Sequence, residues 1–130
     1  MGESKNKIEA GRADYAYICA EDGVKSNSKE YKSYVKNIPM LIKTNGLAAT
    51  FAFMFSKGGT YKTIYEQVEK WLKDKECIIK DIFTKQEYSE AKTMIKKLTL
   101  MNSSDYKVIT NEVMALFTWL RRFAEGLAKE

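Results

Sequence analysis

Apolar residues recur along much of the chain at intervals of three and four positions, the spacing of one face of an α-helix. The clearest stretch runs from Tyr61 to Leu72, where positions 61, 64, 65, 68, 71 and 72 are all apolar. Strand-like alternation bounded by turns is absent, and Pro39 is the single proline. The pattern therefore predicts an all-α protein.

The first half of the chain predicts three helices. The first covers about residues 4–20 and ends at Asp22-Gly23, and the second starts near Lys29 after the capping residues at 26–28. The third runs from Pro39 to Ser56 and is apolar nearly all round. Asn45-Gly46 could break or bend it, but apolar residues on both sides stay in phase, which favours a continuous helix. Such a helix is expected to be buried on most sides and to form the core.

The second half predicts three more helices. Gly58-Gly59 ends the third helix, and Thr60 caps the fourth. The segment 84–87 reads as a capping box that starts the fifth helix, and Asn102 to Asp105 break and cap before the last. Short loops join the six helices, so residues 1–130 are expected to form one compact helical bundle.

Composition removes several chemistries and adds a positive charge. The chain has 22 Lys+Arg against 17 Asp+Glu, a formal charge of +5, and no histidine. Histidine triads and histidine metal sites are therefore excluded. Cys19 and Cys77 form no C-x-x-C pair, and no apolar run approaches the roughly 20 residues of a membrane span. A lysine-rich chain without a secretory signal is expected in the cytoplasm, with both thiols reduced.

Acidic residues suggest no strong active site. Asp74, Glu76 and Asp81 lie near one helix junction and could hold Mg²⁺, but a solvated charged turn is the simpler interpretation. We therefore predict no catalytic residue, no metal, no cofactor and no small-molecule substrate.

Basic residues give the better functional signal. On the second helix Lys29, Lys32 and Lys36 fall within an arc of about 60°. A similar row is expected on the fifth helix, and two arginines lie on the polar side of the last. Spaced cations of this kind suit sequence-independent phosphate contact, although many lysine-rich faces serve only solubility. The candidate RNA-binding residues are Lys29, Lys32, Lys36, Lys85, Lys92, Lys96, Arg121 and Arg122.

Two residues are candidates for contacts with other proteins. Trp119 sits about 80° from the centre of the apolar stripe on the last helix, at its edge. A large aromatic at a stripe edge can contact a partner or complete the core. Asn45, in the segment beside Gly46, is the second candidate.

Several stretches of the chain match one known family in order and spacing. They are Arg12–Ala16, Tyr31 with Val35-Lys36, Ile38-Pro39 with Leu41-Ile42, Thr44–Leu47, Phe53 with Ser56–Gly58, Trp71-Leu72, Thr110 with Glu112 and Leu116, and Trp119–Ala124. With this pattern the chain resembles the small α-helical subunit of the type III-B CRISPR effector, the Cmr complex. The region 77–104 is the least family-like.

The resemblance implies a noncatalytic subunit of a ribonucleoprotein. Family members stack on copies of themselves as a minor filament beside the repeated backbone subunit, and they meet the large signalling subunit. They line the channel in which guide RNA pairs with target RNA, while cleavage belongs to the backbone subunits. The lysine rows would then contact RNA phosphates, and base pairing would read the sequence.

Two other functions remain open from the residues alone. A stand-alone basic regulator of DNA would need a recognition helix with base-reading Arg, Asn or Gln, and the helices here offer mainly Lys. A small metal-dependent nuclease would need carboxylates gathered from different helices, which sequence does not reveal.

Overall fold

A computed structural model describes the chain from Gly2 to Ala128, with side chains from Ile8 onward. The described backbone is helical almost throughout and contains no strand, which confirms the all-α prediction. Its elements are α1 (Gly2–Asn45), α2 (Leu47–Lys57), α3 (Gly59–Lys73), α4 (Lys80–Phe83), a 3₁₀ turn (Gln86–Tyr88), α5 (Met94–Leu100) and α6 (Ser103–Leu127). None of these helices is long and apolar enough to cross a bilayer.

The first break in α1 lies at Asn27, not at Asp22-Gly23 as predicted. Asn27 has non-helical angles (φ −158°, ψ 90°), and its side-chain oxygen accepts a hydrogen bond of 3.1 Å from the Glu30 N–H. Gly23 is helical, and the Tyr31 ring packs so closely over it that an added Cβ would lie only 2.2 Å from the ring. The break divides α1 into an N-terminal arm (residues 2–26) and a C-terminal arm (28–45).

The predicted continuous helix from Pro39 to Ser56 is wrong in two respects, where it starts and where it is interrupted. Pro39 lies inside the C-terminal arm of α1, and the chain breaks at Gly46, whose φ of 91° favours glycine. The break is stabilised from outside, because the Tyr106 hydroxyl accepts a 2.9 Å hydrogen bond from the Ala48 N–H. This partner lies 58 residues away, beyond the reach of local pattern.

The expectation that this apolar segment is buried on most sides is also wrong. One face of α2 is buried, with Leu47, Phe51 and Met54 fully inside. On the other sides Phe53 is 40% exposed and Phe55 is 46% exposed. The segment therefore supplies both core and exposed apolar surface.

Of the three predicted helix starts in the second half, the one at Thr84 is wrong, while α3 begins beside the predicted Thr60 without using it as a cap. Thr84 does not begin a helix, since its hydroxyl donates to the Lys80 carbonyl at 2.8 Å, and α5 starts only at Met94. Thr60 does not cap α3, because its hydroxyl donates to a Glu30 carboxylate oxygen at 2.8 Å. The start of α6 is as predicted, with the Asn102 side chain accepting from the Asp105 N–H at 2.7 Å.

Helix α6 packs along both arms of α1, and α3 also packs against α1. On the N-terminal arm Tyr17 meets Phe123 edge to face, with ring centroids 5.2 Å apart. On the C-terminal arm Lys43 lies beside Met114 and Thr118. The apolar faces of α1, α2, α3, α5 and α6 share one buried core.

A buried polar network joins three of these helices. The Arg12 guanidinium (α1) donates through Nε and Nη2 to the two carboxylate oxygens of Glu112 (α6), at 2.8 and 2.9 Å. Trp71 Nε1 (α3) donates to Glu112 Oε2 at 2.8 Å. Hydrogen bonding to Glu112 raises the pKa of Arg12 above its ordinary value, so the guanidinium stays charged inside the fold.

Removal of the carboxylate from this network tests its importance. Glu112→Leu leaves the largely buried Arg12 charge with only the more exposed Glu9, at 3.7 Å, as a partner and should lower the free energy of unfolding by about 3–5 kcal/mol. Pairing it with Arg12→Met should recover much of that loss. The measurement is chemical denaturation followed by circular dichroism.

Glu69→Gln is the matched control, because Glu69 forms a more exposed pair with Lys73 at 3.6 Å. It should change the free energy of unfolding by at most about 1 kcal/mol. Equal effects of Glu112→Leu and Glu69→Gln would show that the buried network does not hold the three helices together.

Candidate nucleic-acid interface

The predicted row on the second helix forms one wall of an open groove. Lys29, Lys32 and Lys36 are exposed on the C-terminal arm of α1, where Ser28 and Ser33 lie beside them. The opposite wall comes from the end of α6. This half of the groove has a volume of about 770 Å³ and presents ammonium and hydroxyl groups to solvent.

The groove continues along the same two helices. Its second half is lined by Pro39 and Lys43 from α1 and by Arg121 and Arg122 from α6. Glu125 lines both halves and so joins them. We call the whole depression the basic groove, and its cations are Lys29, Lys32, Lys36, Lys43, Arg121 and Arg122.

Lys43 is the member of the basic groove that sequence reasoning missed. It lies seven residues after Lys36, which returns it to nearly the same face of a continuous helix. The signal was present in the sequence but depended on Pro39 lying inside the helix. Since α1 passes through Pro39, the cations of one helix extend over 14 residues, or about 21 Å.

The electrostatics of the groove favour an anion. Within the described chain, no carboxylate lies within salt-bridge distance of any of the six cations. Glu125 is the single acidic residue among those that line the two halves. The groove therefore keeps most of its positive charge available for a partner such as a phosphate backbone.

The second predicted lysine row does not exist as a helical row. Lys85 precedes the 3₁₀ turn, Lys92 lies in irregular backbone, and Lys96 lies on α5. The Lys85 ammonium is also engaged, because Nζ lies 2.8 Å from Asp105 Oδ2. A shared helical arc for these three residues was wrong because Thr84 does not start a helix.

Contacts with Asp105 hold the segment from Lys85 to Tyr88 in place. Its carboxylate accepts hydrogen bonds from Lys85 Nζ at 2.8 Å and from the Tyr88 hydroxyl at 2.6 Å. These two hydrogen bonds lower the pKa of Asp105 below its ordinary value, and they raise the pKa of Tyr88 and of Lys85. They tie the 3₁₀ turn to the start of α6 in place of a longer fifth helix.

The two candidate contact residues lie on different surfaces. Trp119 is half-buried, donates through Nε1 to Glu9 at 3.1 Å, and stacks on Phe123 with centroids 5.6 Å apart. Asn45 is exposed at the end of α1, beside an apolar depression that also includes Leu41 and Ala49.

Acidic and thiol groups do not converge into a metal site within residues 8–128. Asp74 instead accepts the Glu76 N–H at 2.8 Å within a turn. Burial raises the pKa of Cys19 to about 11 and that of Cys77 to about 12, so both thiols are protonated at neutral pH.

A family model of CRISPR-associated protein (Cas_Cmr5) matches residues 8–127. The chain belongs to the Cas_Cmr5 family. Membership confirms the resemblance inferred from the sequence and identifies the protein as a subunit of the CRISPR-associated Cmr complex. Members of this family are structural subunits of the effector complex. The partners of this chain are therefore other components of that complex.

The depressed pKa of Asp105 predicts a sensitivity to acid. A carboxyl whose pKa is lower in the folded state stabilises the fold above its ordinary pKa of 3.8, and this contribution is lost as the pH falls below that value. Asp105→Asn should therefore lower stability at neutral pH and lose less of its remaining stability than the wild type between about pH 5 and pH 2.

Thermal unfolding across that pH range measures the difference. Asp14→Asn is the control, because Asp14 is exposed on α1. It should follow the wild-type pH profile, and an Asp105→Asn profile parallel to that of the wild type would contradict the assignment.

Proposed function

We propose that this Cmr5 family member is a noncatalytic subunit of the type III-B CRISPR RNA-guided RNA-targeting complex that holds guide and target RNA by their phosphates. The basic groove is the observation that carries the proposal. It offers six cations over about 21 Å, and Ser28, Ser33 and Thr118 add hydroxyl donors.

The lining of the basic groove favours backbone contact over base recognition. Proteins that grip single strands combine cations with aromatic platforms for the bases. The exposed aromatics Tyr17, Phe53 and Phe55 do not line the groove, and Phe117, which does, is fully buried. Without a stacking platform the groove binds phosphates and leaves the bases free to pair, as guide and target require.

Salt dependence tests the RNA role directly. If about five phosphates are neutralised, the log–log plot of affinity for single-stranded RNA against salt should have a slope near −3 to −4. Lys32→Gln with Lys36→Gln should make this slope shallower by about 1.4. Fluorescence anisotropy with a labelled RNA of mixed sequence provides the measurement.

The matched control has the same loss of charge outside the groove. Lys62→Gln with Lys75→Gln changes two exposed lysines and should leave the slope near the wild-type value. Lys92→Gln with Lys96→Gln tests the remaining predicted positions, since a loss there would extend the RNA surface to α5. A flat salt dependence for the wild type would remove the RNA role and leave the scaffold role intact.

We further propose that copies of this subunit stack through two different surfaces. The α2 face consists of Leu41, Asn45, Ala49, Phe53 and Lys57. The aromatic face consists of Tyr17, Ile18, Trp119 and Phe123, and the exposed Asp14 and Glu21 come before and after the first two on α1.

These two faces are complementary in character. Both expose apolar side chains, with Ile18 55% and Phe53 40% exposed. Lys57 lies over the Phe53 ring at 5.7 Å on one face, while carboxylates border the other. Contact between unlike faces leaves one of each free at the ends, so the assembly grows as a filament.

Mixed variants distinguish such a filament from a closed dimer. Phe53→Glu blocks one face and Ile18→Glu blocks the other, so each protein alone should remain monomeric in analytical ultracentrifugation. Their mixture should form a one-to-one dimer that does not extend, because one intact pair of faces remains.

Ile78→Glu is the control, because Ile78 is 60% exposed and belongs to neither face. It should associate like the wild type. Persistence of association in either face variant alone would contradict the proposed pairing.

A further inference from the structure

Glu125 occupies an unusual position in the basic groove. It is exposed on α6 and lines both halves, with Lys29, Lys32 and Lys36 on one side and Lys43, Arg121 and Arg122 on the other. It is the one acidic residue among the described residues that line the groove. A phosphate chain that follows the groove from one end to the other must pass this carboxylate.

The Glu125 carboxylate forms no ion pair with a neighbouring cation among the described residues. Glu125 follows Arg121 by four residues on the same helix, the order that is less favourable for a helical ion pair. Neither Arg121 nor Arg122 approaches it within 4.0 Å. Its negative charge is therefore directed at whatever anion enters the groove.

We propose that Glu125 attenuates RNA binding and divides the basic groove into two phosphate subsites. This inference rests on the proposed RNA role of the groove. The first subsite is the lysine half on α1, where Ser28 and Ser33 add hydroxyl groups. The second is the half that contains both arginines. The phosphate opposite Glu125 is repelled, so the RNA backbone is held at two short runs with a weak point between them.

Such an attenuator has a physical consequence for the RNA that occupies the groove. Phosphate contacts carry no sequence information, so an uninterrupted row of six cations would retain any RNA strand. A carboxylate in the middle lowers the affinity of each subunit for all sequences equally. Discrimination then remains with base pairing, which is cooperative along the strand.

Replacement of the carboxylate by an uncharged amide of nearly the same shape tests the proposal. Glu125→Gln should raise the affinity for a mixed-sequence single-stranded RNA by about 3- to 10-fold at low salt and steepen the salt slope by up to about 0.7, because one more phosphate is neutralised. The same RNA paired with its complement should show a gain of similar size.

Glu66→Gln is the matched control, with the same change of net charge at an exposed position on α3. It should leave the affinity within about 1.5-fold of the wild type, since Glu66 does not line the basic groove and its charge is screened from RNA bound there. Equal gains in Glu66→Gln and Glu125→Gln would overturn the attenuator, because net charge alone would then explain both.

A second background separates repulsion of RNA from a local pair with arginine. The gain from Glu125→Gln should persist when Arg121→Gln is also present, since the carboxylate acts on phosphates in both subsites. Loss of the gain in that background overturns the proposal in favour of simple neutralisation of Arg121. A wild type without salt-dependent RNA binding removes the proposed function itself, and the attenuator with it.

Discussion

One buried ion pair constrains how three helices of the fold are arranged. Arg12 and Glu112 lie 100 residues apart in the sequence, yet they meet in a two-pronged contact that Trp71 completes from a third helix. An unpaired charge at this depth is costly, so only an arrangement that joins α1, α3 and α6 satisfies all three side chains. The hydrophobic core supplies most of the driving force for folding, and the polar network selects how the three helices are aligned.

That alignment positions both candidate surfaces. Because Glu112 holds α6 against the N-terminal arm of α1, the remaining side of α6 is free to pack along the C-terminal arm and form the basic groove with it. The Trp119–Phe123 stack lies on the seam with the N-terminal arm. A scaffold of this kind fits a structural subunit that contributes surfaces to a larger complex.

The sequence predicted the elements with strong internal periodicity and missed those decided by distant contacts. The stripe from Tyr61 to Leu72 and the cap at Asn102 were predicted because their determinants are local. The sequence indicated a possible break at Gly46, but the apolar phase favoured continuity, and the contact with Tyr106 that stabilises the break comes from another helix. The fifth helix was predicted to start too early, at Thr84, because a local capping pattern does not show that Asp105 holds the following segment.

The sequence predicted most of the cations of the candidate site but not the groove that they form. The lysines on α1 were found because helical spacing shows a shared face, and Arg121 and Arg122 were found as exposed cations. Their meeting in one groove could not be predicted, since it depends on how α6 crosses the arms of α1. Arg12 and Glu112 stood within the family-like stretches, but no local pattern showed that they pair.

The break at Asn27 has a consequence for geometry on a larger scale. It sets the angle between an arm that carries half of the aromatic face and an arm that carries the lysines. If successive copies join through that face, the bend at this joint contributes to the twist from copy to copy. The same bend then affects whether the basic grooves of neighbouring copies line up into a continuous track.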